Sequence, residues 1–436
     1  MIGKSVPSDL GDEWNTGALV ALDKAHAWHP FTQMKAWCAP EHEPLVLVGG
    51  EGAILRDSRG REYLDGNSSI WTNIHGHRHP AITRAIREQL DRVAHVSFLG
   101  TTNAPAAELA GRLAGLFPPQ ALPRVFFSDD GSTAVEAAMK MASQFWQLSG
   151  EPRRTRFVAF DHAYHGDTAG AASLGGIAAF HAQDGPRIPV VRISDPDELL
   201  PSEEIAAVVI EPLIQGAAGM RVWPAGLLRR LREKCDACGA LLILDEVLTG
   251  FGRTGRMFAC EHEGVIPDIL CLAKGLTGGY LPLAATLTSE RIFSAFLGEF
   301  SEQKTFFYGH SFTGNPLGCA AALASLDVFR EEKALENLQP KIAVMARLLN
   351  GLKELPQVFE IRQCGFMSGI EVRRTDGVPF PWEERTGGRI CEAARNHGLL
   401  TRPVLDTIVL MPPLCTTEAQ LEHAADAIRR AIREVC

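Results

Sequence analysis

The chain lacks the sequence features of membrane, secreted and nucleic-acid-binding proteins. No uninterrupted apolar stretch reaches the length that crosses a bilayer, and residues 1–10 lack the hydrophobic core of a signal peptide. Acidic side chains outnumber basic ones, 52 against 43, and the net charge of -9 argues against nucleic acid or an anionic membrane as a partner. We therefore expect a cytoplasmic location.

The chain also lacks a spaced set of metal-binding residues. Ten cysteines are scattered from Cys38 to Cys436, as expected for thiols used as small apolar residues in a reducing compartment. Cys235 and Cys238 form the one close pair, but no second pair completes a zinc site. Alternate histidines in residues 75–79 are followed at once by a proline, with no acidic or cysteine partner near. We predict no metal site.

Strand and helix patterns alternate through the middle of the 436-residue chain, which is long enough to form more than one domain. Short apolar runs bounded by turn residues predict strands at 125–128, 157–160, 207–211, 241–245, 269–273 and 283–288. Helical patterns separate these runs. The alternation predicts an α/β fold with a mostly parallel sheet covered by helices.

The two ends of the chain have a different pattern. Residues 1–70 combine a helix near 18–28 with a hairpin in which 44–48 and 53–56 flank a turn at 49–52. After residue 330, predicted helices at 334–352, 385–397 and 418–435 alternate with strands at 369–372 and 408–410.

Two of the predicted strands deliver a carboxylate and an amine to the same edge of the sheet. Asp245 ends the strand at 241–245, and Lys274 follows the strand at 269–273. Open α/β sheets build their sites at this edge. An aspartate facing a protonated pyridine nitrogen and a lysine able to form a Schiff base are the minimum equipment for pyridoxal phosphate chemistry. Alone, this pair does not establish a catalytic site, because aspartate and lysine residues are common at strand ends.

A second segment has the composition of a phosphate-binding turn. Residues 124–141 run from an apolar strand through Gly131, Ser132 and Thr133 into a helical pattern. Glycine permits close approach of the backbone, the hydroxyls can donate, and the free N–H groups of a helix start favour an anion. In isolation the segment predicts an ordinary capped helix. Beside Lys274 it becomes the predicted phosphate site.

Tyr164 and Val247 are candidates for the two faces of a flat ring. Residues 157–168 run from a strand into a loop and place Tyr164 among polar residues, where its ring can stack on a heterocycle. Val247, two residues beyond Asp245, would cover the opposite face. A loop tyrosine is as often a simple anchor, and the other motifs favour stacking here.

Together these motifs resemble those of the class III pyridoxal phosphate aminotransferases. The matching motifs are Gly131-Ser132, Tyr164-His165-Gly166, Glu211-Pro212, Asp245-Glu246-Val247, residues 249–255 and Ala273-Lys274-Gly275. The resemblance implies the PLP-dependent transferase fold type I and pyridoxal 5'-phosphate as the cofactor. It implies that Lys274 binds the cofactor and moves the proton, that Asp245 pairs with the ring nitrogen, and that Tyr164 stacks on the ring.

The same resemblance implies a domain organisation. A large cofactor-binding domain would span residues 71–329. A smaller α+β domain would be formed by both chain ends, residues 1–70 and 330–436.

Further segments resemble the 7,8-diaminopelargonic acid synthases, the biotin-synthesis aminotransferases that act on 8-amino-7-oxononanoate. The matching segments are residues 29–34, 67–71, 74–77, 309–316, 401–403 and 410–413. The resemblance implies that Arg402 binds the carboxylate tail of the oxononanoate, a task suited to a planar, bidentate cation. It implies that Phe31, Trp71 and Gly309 contribute to the substrate pocket. Ser311 replaces the usual threonine and would donate to the cofactor phosphate of the neighbouring subunit, which implies a homodimer.

The amino donor stays open between two branches of this group. Members that use S-adenosylmethionine commonly have a tyrosine where this chain has Phe31, and two tryptophans where it has Ile70 and Trp71. Without the phenol, the substrate pocket lacks one hydroxyl group that could form a hydrogen bond. A branch that uses lysine is more similar around Phe31, residues 309–310 and residues 403–404. S-adenosylmethionine is the commoner donor and our expectation, with lysine as the alternative.

Two charged residues have two interpretations each. Glu211 ends an apolar strand, where it is either a structural cap or, as the resemblance implies, a group near the ring oxygen and the substrate pocket. Arg253 lies in the glycine-rich loop after Asp245 and faces either the substrate or the dimer interface.

Two rival functions belong to other classes. One is an ω-amino acid aminotransferase or an aminomutase on the same scaffold; Arg402 and the segments around Trp71 and Ser311 argue against it. The other is a non-catalytic protein that kept the fold, and the intact Lys274 and Asp245 argue against that one.

Overall fold

The computed structural model describes residues 14–181 and 187–436. Residues 1–13 lie outside it, including the segment without a signal-peptide core and the start of the predicted block 1–70. The α-helices are α1 Thr16–His26, α2 Met34–Trp37, α3 Ser68–Trp71, α4 Pro80–Leu90, α5 Ala104–Ala114, α6 Gly131–Leu148, α7 Ala169–Leu174, α8 Ala178–His181, α9 Leu227–Cys238, α10 Glu290–Ala295, α11 Pro316–Glu331, α12 Ala334–Asn350, α13 Thr386–Asn396 and α14 Glu418–Val435. Within the two described ranges, no helix is both long and apolar enough to cross a membrane.

The strands are β1 Leu47–Glu51, β2 Ile54–Asp57, β3 Glu62–Asp65, β4 Arg124–Ser128, β5 Arg156–Phe160, β6 Val190–Ile193, β7 Ile205–Ile210, β8 Ile214–Gln215, β9 Arg221–Val222, β10 Leu241–Asp245, β11 Ile269–Leu272, β12 Ala284–Thr288, β13 Val358–Cys364, β14 Met367–Val372, β15 Leu399–Leu400, β16 Pro403–Val404 and β17 Thr407–Leu410. Short 3-10 helices span Pro196–Glu198, Ala259–His262, Lys274–Thr277, Phe300–Glu302, Gly351–Glu354 and Trp382–Glu384.

A seven-stranded sheet forms the centre of the molecule. Its strand order is β4-β12-β11-β10-β7-β5-β6, and every neighbouring pair is parallel except the two that involve β12. Strands β7 and β10 are buried at every residue because helices cover both faces, so their sequences are continuously apolar. The predicted α/β fold with a mostly parallel sheet is confirmed.

Successive residues of one strand enter two separate hydrophobic cores. Leu242 and Leu244 of β10 belong to the core that also contains residues of α5, α9 and α11, whereas Leu241 and Ile243 belong to the core that contains residues of α6. This follows from the period of two in a strand, which sends neighbouring side chains to opposite faces. The sheet is thus held between two helical layers, and its strand ends carry the polar residues.

The predicted elements of the chain after residue 330 are present. The predicted helix at 418–435 has the same bounds as α14, because Thr417 and Gln420 form a reciprocal capping box at its start. The predicted strands at 369–372 and 408–410 correspond to β14 and β17, which pair with each other.

The N-terminal hairpin is present, but its predicted turn is wrong. Strands β1 and β2 pair through Gly49, Gly50 and Glu51, so both glycines lie within a strand. A Cβ on Gly50 would lie 3.0 Å from Cγ of His77. Glycine inside a strand often marks such a close approach, and the sequence alone does not distinguish it from a turn glycine.

The two chain ends share one sheet. Strand β15 pairs in parallel with β3, with Leu399 opposite Leu64, and the sheet order is β1-β2-β3-β15. A second small sheet has the order β13-β14-β17-β16. The pairing supports one small domain built from both ends, and the boundaries at residues 70 and 330 remain predictions.

Gly365 lies in the turn between β13 and β14 and packs against the backbone of Thr254. This contact provides a test of the fold. Gly365 has a φ of +59°, and a Cβ there would lie 2.3 Å from the carbonyl carbon of Thr254. We expect Gly365→Ala to lower the free energy of unfolding by about 3 kcal/mol, because it adds a clash to left-handed strain. Gly60→Ala is the matched control: Gly60 has a φ of +77° but open space around it, so we expect a loss of about 1 kcal/mol. Chemical denaturation measures both, and equal losses would contradict the packing described here.

Candidate active site

Asp245 and Lys274 lie at the carboxyl ends of adjacent parallel strands. Strand β10 ends at Asp245, which is in register with Cys271 of β11, and Lys274 follows β11 after one intervening residue. The backbone of Lys274 has a φ of 44°, which is disfavoured for a residue with a side chain and is found most often at functional sites. The structure therefore brings the two residues to one edge of the sheet, as predicted.

Asp245 is hydrogen-bonded to His165, a residue that the sequence motifs contain without indicating its role. Nδ1 of His165 donates to Oδ2 of Asp245 at 2.7 Å, and the N–H of Val247 donates to Oδ1 at 3.0 Å. Both side chains are buried, and Nε2 of His165 has no hydrogen-bond partner within residues 14–181 and 187–436. The neighbouring carboxylate of Glu246 is engaged elsewhere, accepting from the N–H of Ala259 at 2.7 Å. Asp245 is thus the carboxylate available to a ligand at this strand end.

The amine of Lys274 lies beneath an indole ring. Its Nζ is 4.9 Å from the ring centroid of Trp71. Burial lowers the pKa of Lys274 from its ordinary value, while the charges of Asp245 and Glu211 oppose that shift. A lysine with a lowered pKa more readily supplies the neutral amine that a nucleophile or a base requires.

Glu211 is buried next to these groups. Its Oε2 accepts from the N–H of Tyr164 at 3.2 Å, and its Oε1 accepts from the N–H of Gly216 at 3.0 Å. Burial raises the pKa of Glu211 to about 7, and the negative charge of Asp245 adds to the rise. The carboxyl group caps its loop, as one interpretation had it, and it also lies close enough to influence Lys274.

The start of α6 has the form of an anion site. Oδ1 of Asp130 accepts from the N–H of Thr133 at 2.9 Å, and the N–H groups of Gly131 and Ser132 have no acceptor in the described part of the chain. A Cβ on Gly131 would lie 2.6 Å from Cγ1 of Val247. The predicted phosphate turn is therefore packed directly against the end of β10.

Two further polar residues complete this turn. The N–H of Thr168 donates to Oγ of Ser132 at 3.1 Å, and Oγ1 of Thr168 donates to Oε1 of Glu136 at 2.7 Å. A Cβ on Gly166 would lie only 2.0 Å from Oγ of Ser132, so this position must be glycine. Ser132 was predictable from its motif, whereas Thr168 and Glu136 were not, because the bonds of Thr168 to both of these α6 residues join the helix to a loop distant in the sequence.

The ring of Tyr164 lies in an aromatic cluster. It meets Phe180 edge to face with ring centroids 6.3 Å apart, and Phe180 meets Phe31 in the same way at 5.7 Å. The Tyr164 hydroxyl donates to Oδ2 of Asp167 at 2.6 Å, and burial followed by this bond raises its pKa. The ring is therefore held in a fixed orientation, and its stacking on a ligand stays a prediction.

Arg253 is fully buried and bonded to the main chain. Its guanidinium donates to the carbonyl oxygens of Pro412 at 2.8 Å, Asn73 at 3.0 Å and Trp71 at 3.4 Å. Burial lowers the pKa of Arg253 to about 9. In this chain the side chain fixes the segment that carries Trp71, and contact with substrate or with a second subunit stays a prediction.

The remaining predicted residues are exposed. Phe31, Gly309, Ser311 and Arg402 are all solvent-accessible. Within the described ranges, no hydrogen bond joins Ser311 to the start of α6. Their roles in the substrate pocket and across a dimer interface remain predictions.

Comparison with known families decides the class of protein. Residues 37–432 match the family model described as aminotransferase class-III. The chain belongs to the class III aminotransferases.

Curated relatives extend this result over almost the whole chain. The aminotransferase is 51% identical to the adenosylmethionine-8-amino-7-oxononanoate aminotransferase of Nitratidesulfovibrio vulgaris, an alignment that covers 96% of this chain and 82% of the relative. It is 48% identical to the protein of the same name from Geobacter sulfurreducens, over 97% of this chain and 99% of the relative.

Solved structures have the same fold. The enzyme with that name from Methanocaldococcus jannaschii is 42% identical, with a TM-score of 0.93 over 97% of this chain and 100% of the other. An (S)-enantioselective omega-transaminase from Thermomicrobium roseum is 36% identical, with a TM-score of 0.91 over 97% of this chain and 99% of the other. The expected fold type I is confirmed.

The class III family depends on pyridoxal phosphate, and the residues of this site fit that cofactor. The free N–H groups at the start of α6 and the glycine contacts around Ser132 suit a phosphate group. The buried carboxylate of Asp245 suits a protonated ring nitrogen, and the amine of Lys274 suits the aldehyde.

Glu211 gives the stability of the aminotransferase a defined pH dependence. Its pKa is raised from 4.5 to about 7, so between these values the native state binds more protons than the unfolded state, and stability falls as the pH rises. Glu211→Gln removes this titration. From pH 5 to pH 8 we expect the free energy of unfolding of the Glu211→Gln apo-protein to rise relative to that of the wild-type apo-protein by about 2.5 kcal/mol.

Denaturation at both pH values measures this difference. Glu108→Gln, at an exposed position on α5, is the control and should show no change with pH relative to wild type. A constant difference between Glu211→Gln and wild type would contradict the raised pKa.

Proposed function

We propose that this aminotransferase converts 8-amino-7-oxononanoate to 7,8-diaminononanoate in biotin biosynthesis, with S-adenosylmethionine as the amino donor. One observation carries the substrate assignment. Four relatives that are 46 to 51% identical over 96 to 97% of the chain all have the name adenosylmethionine-8-amino-7-oxononanoate aminotransferase.

The same proposal assigns the residues that hold pyridoxal phosphate. Gly131 and Ser132 would bind the phosphate, Tyr164 and Val247 would cover the two ring faces, and Asp245 would pair with the ring nitrogen. When bound, the cofactor takes up the electron pair that remains on the donor carbon after its proton leaves.

Lys274 is the base in this proposal. Its Nζ would hold the cofactor aldehyde and, once freed by the donor amine, would take the proton from the α-carbon of the donor. Two observations support this role: burial lowers the pKa of the amine, and Trp71 covers it at 4.9 Å. The indole restricts the access of water to the proton that is transferred.

Asp245, with His165 behind it, would maintain a proton on the ring nitrogen of the bound cofactor. A carboxylate favours the protonated form of a nearby pyridine, and the donated hydrogen bond of 2.7 Å from His165 fixes the orientation of that carboxylate. Val247 contributes a second bond from its N–H, so each carboxylate oxygen of Asp245 accepts one bond that limits rotation of the group.

Two alternatives have specific support. Phe31 in place of a tyrosine supports lysine as the donor of the same reaction. The TM-score of 0.91 with an omega-transaminase supports an ω-amino acid:pyruvate aminotransferase. A homodimer in which Ser311 and Gly309 complete the neighbouring site belongs to the proposal in every case.

Single-turnover absorbance tests the reaction. We expect S-adenosylmethionine to abolish the visible band of the cofactor-loaded protein and 8-amino-7-oxononanoate to restore it, because each half reaction changes the cofactor once. Bleaching by lysine and not by S-adenosylmethionine would establish the alternative donor. If the oxononanoate restores nothing, the substrate assignment is wrong.

Two lysine variants provide the control for this trace. Lys274→Ala should lose turnover by more than about 10³-fold while still binding some cofactor, because the phosphate and ring contacts remain. Lys341→Ala removes a lysine whose pKa is also lowered by burial and which donates to Leu414 O at 2.8 Å, and it should keep full turnover.

Arg402 tests the assignment of the acidic substrate. We expect Arg402→Ala to raise the KM for 8-amino-7-oxononanoate about 10- to 100-fold, because a hydrogen bond to a charged group contributes about 1.5–3 kcal/mol. The donor half reaction with S-adenosylmethionine should change little. Steady-state kinetics measure both constants. Arg430→Ala, at a surface ion pair with Asp426, is the control and should leave both unchanged; an unchanged KM in Arg402→Ala would contradict the proposal.

A further inference from the structure

Ser68–Trp71 form one left-handed turn, which we call the left-handed turn from here on. The φ angles of its residues are +46°, +49°, +65° and +71°. None of the four is glycine, and Ile70 is β-branched, so each Cβ approaches the following carbonyl oxygen. Such a turn persists only where its surroundings hold it, and segments of this kind cluster at functional sites.

Asp65 holds the first half of the turn. Its Oδ1 accepts from the N–H of Ser69 at 3.0 Å and from that of Asn67 at 3.3 Å, and its Oδ2 accepts from Oγ of Ser69 at 3.0 Å. The carboxylate is only 1% exposed, so these bonds do not compete with water. Asp65 therefore stabilises a conformation that the chain disfavours.

His77 and Asn73 orient this carboxylate. The N–H of Gly76 donates to Oδ1 of Asn73 at 2.7 Å, which directs Nδ2 of Asn73 toward Nδ1 of His77 at 3.1 Å. Nδ1 of His77 is therefore an acceptor, and its hydrogen is on Nε2, which donates to Oδ2 of Asp65 at 2.9 Å. We call Asn73, His77 and Asp65 the relay, because the orientation of the Asn73 amide and the tautomer of His77 are both fixed by these hydrogen bonds.

Trp71, the last residue of the left-handed turn, contacts the candidate active site. Nε1 of Trp71 donates to Oδ1 of Asn67 at 2.8 Å, and Arg253 donates to the Trp71 carbonyl at 3.4 Å. With both ends fixed, the indole lies 4.9 Å from Nζ of Lys274. The relay, the turn and the amine form one continuous set of contacts.

We propose that Asp65, oriented by His77 and Asn73, is a positioning residue that keeps the Trp71 ring over the amine of Lys274 by stabilising the left-handed turn. The inference rests on the proposed role of Lys274, but not on the identity of the donor. Without the relay the turn relaxes, the indole moves, and water reaches the ammonium form of the lysine. Hydration favours that charged form more than the lost contact with the indole face disfavours it, because burial is the largest influence on the pKa of Lys274, so the amine becomes harder to deprotonate.

The test is competitive labelling of the apo-protein with acetic anhydride from pH 6 to pH 11, read by mass spectrometry at the peptide that contains Lys274. Wild-type Lys274 should reach half of its maximal reactivity below the ordinary lysine value of 10.5. Asp65→Asn places an amide N–H against the Nε2–H of His77, and we expect the midpoint to rise by about one pH unit, a tenfold loss of reactivity at neutral pH. The charged groups that act on Lys274, namely Asp245, Glu211 and Arg253, are retained in this variant. Because the charge of Asp65 also raises the pKa of Arg253, the Ser69→Ala variant below, which keeps that charge, separates the loss of the turn from the loss of the charge.

A double variant tests the direction of the relay. In Asp65→Asn with Asn73→Asp, the new carboxylate at 73 accepts from Nδ1–H of His77, and Nε2 then accepts from the amide at 65. We expect this reversal to restore the wild-type midpoint to within about 0.3 pH units. A midpoint that stays at the Asp65→Asn value would contradict the relay.

Asp57→Asn is the matched control for general loss of stability. Asp57 is 2% exposed and accepts from the N–H groups of Arg59 and Arg61 and from the hydroxyl of Tyr63, without contact with the left-handed turn. Its loss should leave the Lys274 midpoint unchanged. Equal shifts in Asp57→Asn and Asp65→Asn, or no shift in Asp65→Asn, would overturn the proposal.

A milder variant covers the case in which Asp65→Asn does not fold. Ser69→Ala removes only the hydroxyl bond to Asp65, and we expect a two- to threefold loss of Lys274 reactivity at neutral pH; unchanged reactivity would contradict the proposal. The labelling needs no substrate. A shifted midpoint in a protein that fails to transaminate would therefore uphold the relay and reject the proposed function.

Discussion

The parallel pairing of neighbouring strands is the constraint on which the site depends. In the order β11-β10-β7-β5, each strand ends at the same edge of the sheet and each is followed or ended by one polar member of the site: Lys274, Asp245, Glu211 and His165, respectively. Main-chain hydrogen bonds fix the register of β10 and β11 and so place Asp245 near Lys274, whereas His165, in the loop after β5, is held by its bond to Asp245.

Because these strands end side by side, the amine of Lys274 is buried close to the carboxyl groups of Asp245 and Glu211. Lys274 loses hydration, and the negative groups of Asp245 and Glu211 compensate for part of that loss. Glu211 in turn is partly protonated near neutral pH. The site therefore holds a carboxyl group that can change its protonation state near neutral pH beside a lysine whose pKa is lowered by burial, which suits a reaction that moves protons between carbon and nitrogen.

The sequence predicts the residues that local pattern determines and misses those that tertiary contact determines. Lys274 and Asp245 were predictable because apolar strands lead directly to them. His165 was named only as part of a motif, because its partner Asp245 is 80 positions away and a third strand, β7, lies between their strands. The left-handed turn had no signal at all: its residues are serine, isoleucine and tryptophan, and its conformation is imposed by Asp65.

Reduction of the cofactor-loaded protein with borohydride, followed by peptide mapping, tests the role of Lys274, because it fixes pyridoxal phosphate to the amine that holds it. We expect a pyridoxyl group on Lys274 and on no other lysine. A group on a different lysine, or none on a protein that has bound the cofactor, would contradict the assignment of this strand edge as the active site.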